Sequence, residues 1–107
     1  MSDVFQEREN RFEKEFAHDE DLRFRAVARR NKAMALWIAE LKGLERAEAE
    51  KYARDFIAGH VGLSDDDVAA ALKADLKQAN VDLSDHRLRK RMDEEMAEAI
   101  ASLKAGR

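Results

Sequence analysis

The chain has 107 residues, four glycines, no proline and no cysteine, which fits one helix-rich domain and excludes disulfides and cysteine metal sites. Its 20 basic and 23 acidic side chains leave a net charge of −3, so there is no overall attraction to nucleic acid or to a membrane surface. No segment has the apolar length of a membrane span or the pattern of a signal peptide, so we expect a cytoplasmic protein without direct membrane insertion.

The first predicted element is a short helix that ends near Phe16. At about 100° per residue, Phe12 and Phe16 fall within about 20° of Phe5, so the three rings form a narrow aromatic stripe on a charged surface. The stripe is too thin to build a core of its own, and an isolated helix of this length is marginal in water. We therefore expect residues 1–18 to form a mobile, partly helical segment.

The aromatic stripe has two interpretations. The rings could fold back onto the rest of the chain as a fifth core element, or they could bind in a groove of another molecule. Glu9 fills the gap between Phe5 and Phe12, which makes an internal core position unfavourable. Anchors spaced at i, i+7 and i+11 are typical of a helix that binds a partner's groove, so the pattern favours partner binding.

A polar seam, His18 to Asp21, follows this segment. Asp19, Glu20 and Arg23 continue the direction of the aromatic stripe, so apolar packing cannot extend through them at low cost. The geometry also allows one long helix through the seam, so a break in packing is expected here rather than a break in helical pitch. Protonation of His18 near neutral pH could change how the segment docks, although an ordinary surface histidine is the simpler interpretation.

Four further helices are predicted within residues 19–107. Two span about Asp21–Lys42 and Glu45–Gly59, and the last two begin at the capping residues Ser64 and Ser84. Because the connections are short, the predicted fold class is all-α, a four-helix bundle with a mobile, partly helical N-terminal segment. The apolar faces predicted to meet comprise Val27, Met34, Trp37, Ile38 and Leu41; Ala49, Tyr52, Ala53, Phe56, Ile57 and His60; Val68, Leu72 and Leu76; and Leu88, Met92, Met96, Ile100 and Leu103.

A basic run without acids extends from Arg23 to Lys32. Four of its members are candidate contacts for an anion or a nucleotide: Arg25, Arg29, Arg30 and Lys32. A nucleic-acid-binding helical module is the alternative function that this run would support. The opposing interpretation is a solvated face whose charges pair with acids one turn earlier, as Asp21 and Arg25 could. The run has no base-stacking platform of aromatic residues, so we expect no nucleic-acid partner.

The remaining charged clusters have plainer interpretations. Asp65 to Asp67 suit the positive end of a helix and lack the ligand pattern of a calcium loop. Arg89, Lys90 and Arg91 each stand four residues before an acid, which is typical of an ion-paired exposed face. His60 is expected at a helix end. Because no metal-ligand spacing and no nucleophile–base set is visible, we expect no metal, no cofactor and no enzyme activity.

Residues 16–43, FAHDEDLRFRAVARRNKAMALWIAELKG, resemble the signature of the alphaproteobacterial ATP synthase inhibitor family, the zeta subunits. A looser similarity, including the step Tyr52-Ala53-Arg54, extends to the C-terminus. Met34-Ala35 departs from the Leu-Gly of the family pattern, a difference expected to affect packing only. The similarity lies in three blocks, which are Phe16-Ala17-His18-Asp19, Ala28-Arg29-Arg30-Asn31-Lys32 and Trp37-Ile38-Ala39-Glu40-Leu41.

The resemblance implies a four-helix bundle over residues 19–107 and a flexible inhibitory segment over residues 1–18. In the family, this segment enters the catalytic head of the rotary ATP synthase and blocks ATP hydrolysis. The implied partners are the catalytic and rotor subunits of that enzyme, which would hold the protein peripherally at the inner membrane, and the free protein is expected to be a monomer. Carried onto this chain, the expected contact residues are Val4, Phe5, Arg8, Glu9, Arg11, Phe12 and Phe16.

Overall fold

The computed structural model describes residues 20–107, and these residues form four helices: α1 (Glu20–Leu41), α2 (Arg46–Gly59), α3 (Asp65–Gln78) and α4 (Asp85–Lys104). No strand occurs in this part of the chain, so the predicted all-α class and its four helices are confirmed. The residues of the predicted N-terminal helix and its aromatic stripe lie outside the described residues. The division of the chain after residue 18 therefore stays a prediction.

Local sequence signals determine where the helices begin and end. Ser64 Oγ accepts a hydrogen bond from the Asp67 amide at 3.1 Å, and Ser84 Oγ accepts one from the Arg87 amide at 3.1 Å. Such bonds satisfy amides that have no partner in the first turn, and they confirm both predicted caps. After α1, Gly43 adopts a φ of +78°, a left-handed conformation that glycine adopts without a steric penalty.

The main core joins α1 to the other three helices. α1 packs along both α2 and α4 and also contacts α3. Met34 and Ile38 are fully buried, as the predicted apolar face of α1 requires, whereas Leu41 at the last residue of the helix is 37% exposed. The buried side chains of this core are Met34, Ala35, Ile38, Ala53, Phe56, Val68, Ala69, Leu72, Leu76, Leu83, Leu88 and Met92.

A second, smaller core holds only the first half of α1 against the second half of α4. Its buried members are Ala26, Ala99 and Ile100, with Leu22, Met96 and Leu103 packed around them. On its other side, the first half of α1 faces mainly the connection between α2 and α3, together with Ile57 near the end of α2 and Asp65 and Asp66 at the start of α3. This asymmetry leaves a groove beside the N-terminal turns of α1.

The spacing of charged residues along the sequence does not predict the ion pairs between helices. Arg89 Nη2 lies 2.6 Å from Asp66 Oδ1 on α3, so Arg89 pairs between helices and not with Asp93 one turn along α4, as its spacing had indicated. Arg91 Nε does approach Glu95 Oε1, at 3.6 Å, as the i,i+4 spacing predicts. The start of α4 lies against α3, and this proximity decides which partner Arg89 finds.

Candidate functional site

The residues predicted to contact a partner protein all fall in the N-terminal segment. They are Val4, Phe5, Arg8, Glu9, Arg11, Phe12 and Phe16, and they lie outside the described residues, as does His18. Their roles stay predictions. The nearest described site is the groove that begins at the first residue of α1.

This groove, which we call the α1 groove, has a volume of about 520 Å³ and lies between the first half of α1 and the connection from α2 to α3. Its walls expose three large apolar side chains: Phe24 is 60% exposed, Val61 61% and Leu63 42%. Most large apolar side chains of a folded domain lose more surface than this on folding, so a cluster of three marks a surface suited to binding.

The apolar character of the groove follows from the end of α2. His60 stacks on Phe56 with ring centroids 4.0 Å apart, and its Nδ1 donates a hydrogen bond to the Phe56 carbonyl oxygen at 2.6 Å. This confirms His60 as a helix-end residue. Gly62 then turns the chain with a φ of +77°. Val61 and Leu63 flank that turn, where no helical face is available to bury them.

One end of the α1 groove is polar, because it is lined by Asn31 and Asp65, and both of these residues bind the buried side chain of Arg30. The Arg30 side chain is only 3% exposed, and its Nη1 donates to Asp65 Oδ1 at 2.7 Å. Its Nε and Nη2 donate to Asn31 Oδ1 at 3.1 and 3.0 Å. All of these bonds face the protein, so Arg30 is not part of an exposed basic face. The residue instead ties α1 to the first turn of α3.

The other three candidate anion contacts remain on the exposed side of α1. Arg25 Nε donates to Asp21 Oδ2 at 3.1 Å, which confirms the predicted pairing one turn earlier. Arg29 donates from Nη1 to Ser102 Oγ at 3.1 Å and from Nη2 to the carbonyl oxygen of Arg107 at 3.0 Å. Lys32 is exposed. Both arginines thus already bind protein groups, and the structure does not bring the four basic residues together in one cluster.

The three aspartates at the start of α3 serve helix pairing as well as the helix end. Asp65 pairs with Arg30 and Asp66 with Arg89. Among residues 20–107 there is no group of three or more histidine, cysteine or acidic side chains placed to hold a metal ion. Within the same residues, no helix combines the length and the apolar character needed to cross a membrane.

A polar contact between α2 and α3 carries the one strongly perturbed pKa in residues 20–107. Tyr52 donates its hydroxyl hydrogen to Asp75 Oδ2 at 2.5 Å. Partial burial of the phenol raises the pKa of Tyr52 well above its ordinary value, and the hydrogen bond and the negative charge of Asp75 raise it further. Neither residue lines the α1 groove, and the pair joins α2 to α3 as a structural contact.

Sequence reasoning missed the residues that make the groove. Phe24 stands off the apolar face of α1, and Val61 and Leu63 lie in a loop, so helical periodicity does not identify any of the three. The available signal was their large apolar side chains beside Gly62, at positions without a periodic helical pattern. Such residues are either buried by a neighbouring element or left exposed, and only the packed structure distinguishes the two.

A comparison with known families gives a match over most of the chain. A family model described as ATPase inhibitor subunit zeta matches residues 1–102, which is nearly the whole chain and includes the N-terminal segment and the four helices up to the last two residues of α4. No curated protein matches the chain significantly. The matched range includes the three sequence blocks on which the resemblance was based.

Proposed function

This chain belongs to the ATPase inhibitor subunit zeta family, and on that premise we propose that it blocks ATP hydrolysis by the rotary ATP synthase through its N-terminal segment. The family description indicates a regulatory subunit and not a catalyst. The single observation that carries the proposal is the range of the family match, which begins at residue 1 and so includes the aromatic stripe. The segment thus lies within the range that the family model covers.

The mechanism we propose is mechanical. Residues 1–18 fold as a helix inside a cleft between catalytic and rotor subunits, where Phe5, Phe12 and Phe16 lose their contact with water. Burial could contribute about 1.5–3 kcal/mol for each ring, reduced by the cost of ordering the segment. The charges of Arg8, Glu9 and Arg11 set the register of the helix. Rotation in the synthesis direction would eject the helix, by analogy with the family.

In this mechanism the bundle is the part of the protein that obstructs rotation. Glu20, the first described residue of α1, follows the segment by two positions in the chain, and the buried residues Met34 and Ile38 anchor α1 in the main core. A helix packed against three others moves as part of a rigid body. An inserted segment would therefore hold the whole bundle against the enzyme, where it blocks further rotation. The protein would act as a monomer, located at the inner membrane only through the enzyme.

The test measures ATP hydrolysis by the isolated catalytic head. The full chain should inhibit hydrolysis, whereas a chain that starts at Asp19 should inhibit at least tenfold less, since the three rings supply most of the proposed binding. A full chain with Phe5, Phe12 and Phe16 replaced by serine should behave like the shortened chain. Equal inhibition by the full and shortened chains would rule out the segment as the inhibitor.

The nucleic-acid alternative gains no support from the placement of the basic run. Arg30 is buried, and Arg25 and Arg29 are already hydrogen-bonded to protein groups. A gel shift on random duplex and single strands measures this alternative directly. The inhibitor proposal expects no shift at physiological salt, while a shift that weakens steeply with salt would favour nucleic-acid binding.

A further inference from the structure

We propose that the α1 groove binds the chain's own N-terminal segment when ATP synthase is absent, with the aromatic stripe seated on Phe24, Val61 and Leu63. We call this closed arrangement the clasp. Its regulatory meaning rests on the proposed function, because the same three rings would have to leave the groove before they could enter the enzyme. The clasp would thus store the inhibitory helix on the bundle that carries it.

The groove has the chemistry that an aromatic stripe needs. A volume of about 520 Å³ is within the range of about 300–1,000 Å³ that is usual for ligand sites. Its exposed side chains, Phe24, Val61 and Leu63, are large and apolar. An aromatic helix face docked there would remove apolar surface from water on both sides of the contact, which is the main driving force for such association.

The end of the segment lies where the groove begins. Glu20, the first described residue, lines the groove, and Asp19 is joined to it directly. A reversal of the chain within residues 17–19 would place Phe16 beside the first turn of α1. From Phe5 to Phe16 a helix is about 16 Å long, and the groove side of α1 from Glu20 to Asn31 covers about the same length. An antiparallel segment therefore fits the groove end to end.

The charged flanks of the stripe differ on its two sides. At about 100° per residue, Arg8, Arg11 and Glu15 lie on one side of the three rings and give it a net positive charge, whereas Glu9 and Glu13 make the other side acidic. Because its two flanks differ in charge, such a segment binds a groove differently depending on which flank faces which wall. It docks favourably only when each flank meets the opposite charge.

The walls of the α1 groove carry those opposite charges. The α3 side contributes Asp65 and Asp66, whose side chains are still 61% and 86% exposed although each is paired with an arginine. The α1 side contributes Arg23, with Glu20 at the end where the chain would reverse. The basic flank of the segment would face the aspartates, and its acidic flank would face Arg23.

A clasp of this kind weakens inhibition by an amount that depends on how often it is closed. Because the segment is tethered beside the groove, its effective concentration there is on the order of millimolar, so even a weak site would be largely occupied. The enzyme then competes for the fraction of protein that is open, and the apparent inhibition constant rises in proportion to one over that fraction. A clasp closed ten times as often as it is open would weaken apparent inhibition about tenfold.

The structural test uses the full chain labelled with nitrogen-15. One variant replaces Phe5, Phe12 and Phe16 by serine, and the matched control replaces Glu7, Asn10 and Lys14 by serine. The control residues lie on the opposite side of the predicted helix, and their replacement leaves the net charge unchanged.

The amide signals of Phe24, Val61 and Leu63 should shift in the stripe variant and stay in place in the control. Signals at Lys77 and Gln78, at the far end of α3, should stay in place in both. No difference between the two variants at the groove would overturn the clasp. Shifts that disappear on dilution would also overturn it, because they would mean that the occupant is the segment of a second copy.

The functional test changes the groove and leaves the segment intact. Replacing Phe24 and Val61 by lysine should lower the apparent inhibition constant for ATP hydrolysis by about two- to tenfold, because the segment is released. Leu41→Lys is the control, since Leu41 is exposed on the same helix but does not line the groove. An unchanged constant in the groove variant, or an equal decrease in the control, contradicts the clasp.

The experiments distinguish a failure of the clasp from a failure of the proposed inhibitor function. Groove signals that respond to the stripe variant, in a protein that does not inhibit hydrolysis, would uphold the clasp as a structural contact and overturn the inhibitor function. Inhibition that depends on the stripe, with groove signals that do not respond, would do the reverse.

Discussion

Arg30 is the residue whose surroundings say most about how the bundle is held together. Its guanidinium is almost fully buried and bonds to Asp65 and Asn31, so none of its polar atoms is left without a partner. A buried charge without its partner is costly, whereas an exposed ion pair contributes little. Asp65 and Asp66 are adjacent in the chain and both bind arginine, yet only Asp65 has a buried partner.

This difference predicts unequal effects of the same substitution. Asp65→Asn should lower the free energy of unfolding by about 1–3 kcal/mol, because Arg30 stays buried without its carboxylate. Asp66→Asn should cost less than about 1 kcal/mol, since Arg89 is half exposed. Both aspartates occupy the first turn of α3, so the helix-dipole contribution largely cancels. Urea unfolding of the two variants measures the difference, and equal losses would contradict the assigned role of Arg30.

Tyr52 predicts how stability depends on alkaline pH. Its pKa is raised in the folded state, so folding favours the protonated phenol, and the contribution is complete below the unfolded pKa of about 10. Above about pH 10 the unfolded chain loses this proton and the folded one does not, so stability should fall as the pH rises.

The chain has a single tyrosine, so the ultraviolet absorbance of tyrosinate reports this residue alone. Absorbance should rise only as the protein unfolds, and Tyr52→Phe should reduce the loss of stability between pH 9.5 and 11. An ordinary titration midpoint near 10 in the folded protein would contradict the raised pKa.

Among the features of the individual helices, their ends are the ones that the local sequence determines most directly. After α1, the Gly43 amide donates to the Glu40 carbonyl at 3.0 Å, and the Leu44 amide donates to the Ala39 carbonyl at 3.0 Å. This pair of bonds requires the positive φ of Gly43. Gly59 is the last residue of α2 and has no such requirement, because its φ is not positive and a Cβ there would meet nothing within 4 Å.

The two glycines should therefore respond oppositely to alanine. Gly43→Ala should destabilise the protein by about 1 kcal/mol, because an L-residue is strained in the left-handed conformation. Gly59→Ala should be neutral or stabilise by about 0.4–1 kcal/mol, since it reduces the freedom of the unfolded chain. Thermal unfolding of both variants measures these effects. A loss at Gly59 as large as at Gly43 would show that helix geometry is not the cause.

The molecule as a whole has two cores of unequal size. The main core fixes the second half of α1 within all four helices, while the smaller core joins the first half of α1 to α4 alone. Regions with fewer buried apolar contacts open at lower free energy. The half of α1 that borders the α1 groove is thus the weaker half, and it is the half that follows the N-terminal segment.

Hydrogen exchange should reveal this division. Amides of α1 near Ala26 should exchange at least tenfold faster than those near Met34 and Ile38, because the smaller core can open without the larger one. Native-state exchange followed by NMR measures the rates. Uniform protection along α1 would mean that the two cores open as a single unit.

The four described helices, their caps and most of their buried faces were predictable from the sequence. Ser64, Ser84 and Gly43 act on neighbours within a few residues, and the spacing of Leu72 and Leu76 depends only on helical pitch, so these features are local. The aromatic stripe of residues 1–18 and its partner contacts stay predictions, since they lie outside the described residues.

The tertiary structure alone decided the burial of Arg30, the pairing of Arg89 with Asp66 and the exposure of Phe24 beside Val61. Each of these depends on where residues distant in the chain come together. Helical periodicity specifies which side of a helix is apolar, but it does not specify which neighbour covers that side. The α1 groove exists because α4 covers one side of the first half of α1 and a loop only borders the other, a consequence of packing that no local signal contains.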